Sequence, residues 1–209
     1  MISTHRHRSC LHAAALLISL AAAQCAAAGE HEHTDFAVGR DDAAPIPALH
    51  LEGDPDILDG IEKIPLLPGE GELADYFIAQ LPGWESAEPG DPDLLPPLTG
   101  HRIALRRLSF SPGFTMFEPF GLGEILAADG ATFEYPADPG GGFHIDLFFA
   151  APIGDPIGTQ YSATFQLTDL AGLHDDSDAF TLRFEVMPEP VSLLLAVFCL
   201  TAGRNRRMS

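Results

Sequence analysis

The stretch YSATFQL, residues 161–167, has an apolar or small side chain at every second position, and so does AFTLRFEV, residues 179–186. In an extended chain, alternate side chains point to opposite faces, so each stretch has one apolar face and one polar face. This period predicts two half-buried β-strands whose apolar faces cover a common core. The apolar positions are Tyr161, Ala163, Phe165 and Leu167 in the first stretch, and Phe180, Leu182, Phe184 and Val186 in the second.

The chain upstream of these strands has the same character from residue 101 onward. Residues 101–110 alternate with a change of face that predicts a bulge near Arg106-Arg107. Asp129-Gly130 is a favoured hairpin turn and predicts that residues 123–127 pair with residues 131–135. Residues 114–120 and 143–150 are further predicted strands. The pattern predicts a mainly β fold: a single antiparallel β-sandwich, jelly-roll-like or Ig-like, with long Pro/Asp-rich loops.

Residues 29–100 differ from this part, because they are acidic and rich in proline. Apolar pieces at residues 36–38, 48–51 and 76–81 predict brief strands, and residues 73–79 predict one helical turn. Prolines at this density exclude a regular sheet of long central strands. We expect four regions: a signal peptide (1–28), an acidic loop and short-strand region (29–100), the core strands of the sandwich (101–187) and a sorting signal (188–209).

The N-terminus has the pattern of a secretory signal peptide. Arg6 and Arg8 precede the apolar run LHAAALLISLAAA, residues 11–23, which predicts a signal helix. Small residues such as Ala26 and Ala28 then offer a cleavage site before Gly29. Cys25 leaves open a lipoprotein signal, although Gln24 is larger than the residue that normally precedes an acylated cysteine.

The C-terminal stretch, MPEPVSLLLAVFCLTAGRNRRMS, combines three features in order. Pro188, Glu189 and Pro190 end the folded domain, because proline interrupts strands and helices. The apolar run of residues 191–203 predicts a short hydrophobic helix that prefers lipid to water. The basic residues after it favour the cytoplasmic face of a membrane, which places the preceding domain outside. These residues are Arg204, Arg206 and Arg207. A buried C-terminal helix is the alternative.

This tail resembles the PEP-CTERM sorting signal of bacterial exported proteins, and the resemblance covers residues 187–209 only. It implies that an exosortase, a membrane-embedded cysteine protease, recognises the Pro-Glu-Pro box and removes the hydrophobic segment. It also implies contact with the secretion machinery, a transient membrane contact through the helix, and a location at the cell surface, in the cell envelope or in the extracellular matrix. Extracellular polysaccharide is the partner that the family association suggests.

Removal of both ends leaves a segment without cysteine, because the three cysteines are Cys10, Cys25 and Cys199. Disulfides, thiol catalysis and cysteine-ligated metals are therefore excluded for it.

The same segment is strongly acidic. All 30 acidic residues of the chain lie between Glu30 and Glu189, but only six of the 11 basic residues do. This segment therefore has a net charge of −24, whereas the whole chain has −19. Such a charge opposes binding to nucleic acid and favours solubility or cation binding.

Three stretches have residues of the types that bind metals. His31, His33 and Asp35 would project from one face of a strand and suit zinc or another divalent ion. Asp175, Asp176 and Asp178 lie in the loop between the two alternating stretches and are candidate calcium ligands. Asp54, Asp56 and Asp59 also have near-calcium spacing, but Pro55 makes them a poor match to an EF-hand. For each, ordinary turn or surface residues are the alternative.

No pattern typical of catalysis stands out. Glu118 and Glu134 represent the many carboxylate pairs that an acidic sandwich offers, and no Gly-x-Ser-x-Gly or His-Glu-x-x-His occurs. Trp84 could stack on a sugar or cover a loop. We therefore expect an exported, non-enzymatic surface or matrix protein with a structural or interaction role and no cofactor beyond calcium. The alternative is a calcium-dependent carbohydrate-binding or adhesion module.

Overall fold

The computed structural model of the chain describes residues 35–41, 46–80, 82–90, 94–119, 122–136 and 142–188. They belong to one compact unit, His33–Glu189. The predicted signal helix, the hydrophobic C-terminal helix and the sorting residues from Glu189 onward lie outside the described residues. Within the described ranges, no helix is long and apolar enough to span a membrane.

The described part of the chain is mainly β, as predicted. Its helical segments are α1 (Pro55–Leu58) and a 3-10 turn (Gly71–Leu73). The strands are β1 (Phe36–Arg40), β2 (Leu49–Glu52), β3 (Ile64–Pro68), β4 (Tyr76–Ala79), β5 (Trp84–Ser86), β6 (Ile103–Phe110), β7 (Thr115–Phe117), β8 (Glu124–Ile125), β9 (Thr132–Glu134), β10 (His144–Ile145), β11 (Phe148–Pro152), β12 (Gln160–Asp169) and β13 (Phe180–Val186).

These strands form two sheets. The small sheet has four strands in the order β10-β5-β1-β2, and the large sheet has nine in the order β8-β7-β11-β4-β3-β13-β12-β6-β9. The expected purely antiparallel arrangement is wrong, because β1 pairs with β5 and β13 with β3 in parallel. The chain leaves the small sheet after β2 to form β3 and β4 and then returns as β5, so β1 and β5 run in the same direction.

The two stretches with alternating side chains form a long hairpin, β12–β13, in the interior of the large sheet. Tyr161 lies opposite Phe184 and Ala163 opposite Leu182. The predicted inward residues of β12 are all buried, as are Leu182, Phe184 and Val186 of β13. On its other side β12 pairs with β6, and the register shifts so that Leu108 of β6 is left unpaired. The predicted bulge is therefore confirmed one residue beyond Arg107.

The predicted hairpin at Asp129-Gly130 is wrong. Gly130 does adopt a positive φ of 84°, and the Ala131 N–H donates to the Ala128 carbonyl at 3.0 Å, so a turn forms. However, β8 pairs with β7 at one edge of the large sheet, whereas β9 pairs with β6 at the opposite edge. Asp129 binds the Arg107 guanidinium at 2.8 Å. The local turn is correct, but contacts distant in sequence determine which strands pair.

The predicted strand at residues 143–150 is divided between the sheets. Its first part, β10, pairs with β5 in the small sheet, and its second part, β11, lies between β7 and β4 in the large sheet. The chain changes sheet at Asp146 and Leu147, and Leu147 is fully buried. This crossing brings His144 and Asp146 to the small sheet.

The acidic, proline-rich part of the chain supplies five of the strands, β1 to β5. The brief strands predicted near residues 36–38, 48–51 and 76–81 are confirmed by β1, β2 and β4. The helical turn predicted at residues 73–79 is misplaced, since the 3-10 turn ends at Leu73 and Tyr76 begins a strand.

A continuous hydrophobic core contains residues of both sheets. Trp84 is fully buried, and its ring centroid lies 5.2 Å from that of Phe36 in the small sheet and 6.4 Å from that of Phe165 in the large sheet. Trp84 is therefore a core residue and presents no face to a sugar.

Candidate functional site

Three strands of the small sheet bring four ligand-type side chains together. Phe36, Trp84 and Ile145 are buried at neighbouring positions of β1, β5 and β10. Because side chains alternate along a strand, the residues next to them lie on the other face. These residues are Asp35, Glu85, His144 and Asp146, which we call the carboxylate–histidine cluster.

The cluster is tightly spaced on the imidazole side. His144 Nδ1 lies 3.6 Å from Asp35 Oδ2 and 3.6 Å from Glu85 Oε2. One ligand atom from each of these three residues lies within 4.8 Å of the other two, and no other group of three His, Cys, Asp or Glu in the described ranges meets this condition. His144 Nε2, on the far side of the ring, lies 3.9 Å from Asp146 Oδ1.

Gly83 allows the carboxylates to approach the backbone. Its N–H donates to Asp35 Oδ1 at 3.1 Å. A Cβ atom at position 83 would lie 2.5 Å from Asp35 Oδ1 and 2.6 Å from Asp146 Oδ1, so any other residue there would displace at least one of these carboxylates. The glycine therefore allows two carboxylates to converge at this point.

Sequence reasoning identified only one member of this cluster. Asp35 belongs to the predicted zinc set, but His31 and His33 lie outside the described residues. The structure surrounds Asp35 with Glu85 and His144, which are far from it in sequence. The available signal was that Glu85 and His144 each stand next to an apolar residue that is expected to be buried. This pattern indicates that both side chains face outward, but it does not show that their strands are neighbours.

The predicted calcium loop is ordered by other contacts. Asp176 accepts a hydrogen bond from Arg106 at 2.8 Å, and the Asp175 backbone bonds to Pro47 and Leu49. Asp175, Asp176 and Asp178 do not bring their carboxylates together as a group of three.

The second acidic stretch also has a structural role. Asp54 Oδ1 accepts the Asp56 N–H at 2.9 Å and caps α1. Glu118 and Glu134 lie in different strand neighbourhoods of the large sheet. Glu118 follows β7 and Glu134 belongs to β9, which lie towards opposite edges of the large sheet. Glu134 instead accepts two hydrogen bonds from Arg102, which lower the pKa of its carboxyl below the usual value.

A buried dyad that sequence reasoning missed lies beside the calcium loop. His174 Nδ1 donates to Asp169 Oδ2 at 2.8 Å, and His174 Nε2 accepts from the Leu98 N–H at 3.0 Å. Both ring nitrogens are thus satisfied, and the dyad is a structural link between the β12–β13 loop and the segment before β6.

Beside the edge strand β9 lies a small pocket of about 280 Å³, lined in part by His101, Tyr135 and Phe143. The rings of Tyr135 and Phe143 stack at 4.7 Å. Burial raises the pKa of Tyr135 well above its usual value, and its hydroxyl has no hydrogen-bond partner among the described residues. The atom is inaccessible from the pocket, so the pocket by itself indicates no ligand.

The processing residues are described only at their start. Pro188 follows β13 and is half-buried. The remaining predicted signals lie outside the described residues, namely Ala26, Ala28, Glu189, Pro190, Arg204, Arg206 and Arg207.

Comparison with protein families, with curated proteins and with solved structures finds no match for this chain.

Proposed function

We propose that this chain is an exported, exosortase-processed protein of the cell surface or extracellular matrix, and that its β domain has a structural or interaction role. The supporting observation is the position of the Pro-Glu-Pro box relative to the fold. β13 ends at Val186, and the Met187 N–H still donates to the Leu66 carbonyl at 2.9 Å. The box begins at the next residue, Pro188.

This arrangement suits a removable tail. β13 lies between β3 and β12 in the interior of the large sheet, so its backbone is paired on both sides before the box begins. Cleavage at the box would break none of these hydrogen bonds. In this proposal the two sheets pack as a sandwich, which the shared core around Trp84 supports, and the sandwich persists after cleavage.

The net charge of segment 30–189 supports an extracellular setting with a soluble, polyanionic surface. The alternative, a calcium-dependent carbohydrate-binding or adhesion module, stays a prediction. Extracellular polysaccharide and the secretion machinery remain proposed partners.

The test is the intact mass of the protein recovered from its native host, combined with cell fractionation. We expect a surface or matrix species whose mass ends near Glu189 or Pro190. A Glu189→Ala variant should keep the hydrophobic tail and stay with the membrane fraction, because the protease would lack its recognition box. An exported wild-type protein that retains residues 191–209 would refute processing.

A further inference from the structure

We propose that Asp35, Glu85 and His144 bind one divalent transition-metal ion on the outer face of the small sheet, with Asp146 orienting the imidazole. The three ligands come from the residue just before β1, from β5 and from β10, and these three strands are neighbours in the small sheet. An ion at this position would connect segments that are distant in sequence. This inference is independent of sorting at the C-terminus.

The distances fit a shared ion better than direct hydrogen bonds. Both separations from His144 Nδ1 are 3.6 Å, beyond the range of an N–H···O hydrogen bond. Two ligands at about 2.1 Å from a tetrahedral zinc ion are about 3.4 Å apart. The distances from the imidazole to the two carboxylates are therefore close to those that one ion requires, and one oxygen of each carboxylate lies within 4.8 Å of the other.

Asp35 gives a second indication. Its side chain is only 15 % exposed, and its Oδ1 is occupied by the Gly83 N–H. Its Oδ2 accepts no hydrogen bond from any residue that the structure describes and faces His144 Nδ1. Oδ2 is accessible to solvent, so an ion from solution can reach it and coordinate it without displacing a hydrogen bond within the protein.

The charge of the cluster also favours the binding of a cation. Asp35, Glu85 and Asp146 place three carboxylates around one imidazole. Four basic residues elsewhere pair with other acids: Lys63 with Glu185, Arg102 with Glu134, Arg106 with Asp176 and Arg107 with Asp129. A divalent ion would offset two of the three negative charges that the carboxylates of the cluster can carry.

The donor set selects the class of ion. One imidazole nitrogen with carboxylate oxygens suits zinc or manganese better than calcium, which takes oxygen ligands only. Asp146 Oδ1 lies 3.9 Å from His144 Nε2, so only a small rotation of its side chain is needed for it to accept the second N–H and orient the ring, as a carboxylate commonly does for a metal-bound histidine. Three protein ligands leave coordination positions for water or for a ligand from outside the chain.

The test is calorimetric titration of the purified full chain, freed of metal by a chelator, with Zn²⁺ and separately with Mn²⁺. We expect one ion to bind per chain through the cluster. His144→Ala and Glu85→Gln should each weaken binding about tenfold or more, because each removes a ligand. Both side chains are about half exposed, so both variants should fold, and their melting without metal should match that of the wild type.

Matched controls lie on β2 of the same sheet. His50→Ala and Glu52→Gln remove an exposed histidine and an exposed carboxylate and should leave affinity within about twofold. The double variant His31→Ala/His33→Ala should also retain binding through the cluster. Failure of both ions to bind, or affinity unchanged in His144→Ala and Glu85→Gln, overturns the proposal. Loss of binding only in the His31/His33 variant overturns it too, since the N-terminal arm would then be the site.

Discussion

At the scale of single residues, Asp169 shows how one buried carboxylate organises a loop. Its two oxygens accept four hydrogen bonds, from the backbone of Arg102, Ala171 and Leu173 and from the His174 ring. Burial is the largest single influence on its pKa and acts to raise it, but these four donors together outweigh burial and lower the pKa below its usual value.

We predict that Asp169→Asn destabilises the fold by about 1–3 kcal/mol, because an amide replaces one accepting oxygen with an NH₂ group that faces N–H donors. Urea unfolding at neutral pH measures the loss. Asp178→Asn, an exposed change in the same loop, is the control and should cost under about 0.5 kcal/mol. Equal effects from the two variants would show that the four hydrogen bonds contribute nothing specific.

The same carboxylate predicts a difference in acid. A lowered pKa in the folded state means that the ionised group stabilises the fold above its unfolded pKa of about 3.9. That contribution is lost as the pH falls through the lower, folded-state pKa. Between about pH 5 and pH 2 the wild type should therefore lose more stability than Asp169→Asn does. Parallel urea-midpoint curves for the two proteins would contradict this.

At the scale of elements, the turn before β9 allows the effect of backbone strain to be measured without a change in side-chain contacts. Gly130 has a φ of 84°, and a Cβ built on it would meet no atom within 4 Å. Gly154 has equally open surroundings without a positive φ. An added Cβ would therefore be strained by the backbone at Gly130 but not at Gly154, and it would meet no neighbouring atom at either position.

We predict that Gly130→Ala destabilises the domain by about 1 kcal/mol, because an L-residue is strained at this φ. Gly154→Ala should be neutral or stabilising by a few tenths of a kcal/mol, since it lowers the entropy of the unfolded chain. Thermal melting of the two variants provides the comparison. A Gly130→Ala protein as stable as Gly154→Ala would mean that the turn relaxes to another conformation.

At the scale of the whole molecule, self-repulsion is the dominant electrostatic feature. Segment 30–189 has a net charge of −24, and its described ion pairs are partly exposed pairs that contribute little. Without cysteines in this segment, the hydrophobic core must offset the repulsion unaided.

We therefore predict that raising NaCl from about 0.01 M to about 0.5 M increases the melting temperature, because the Debye length falls from about 30 Å to a few ångströms. The melting temperature of the full chain is measured with a chelator present, so that the effect of salt screening is not mixed with that of metal binding. A melting temperature that falls with salt would show that ion pairs such as Lys63–Glu185 and Arg106–Asp176 outweigh the net repulsion.

The sequence by itself determined the β class, the long strands β6, β12 and β13, the bulge in β6 and the turn at Gly130. These features depend on side-chain period or on the conformation of one residue, and both are local. The order of strands, the two parallel pairs and the division of residues 143–150 between the sheets depend on which apolar faces meet. Only the tertiary structure decided them, and only it brought Asp35, Glu85 and His144 together, because contacts between strands far apart in sequence leave no spacing pattern along the chain.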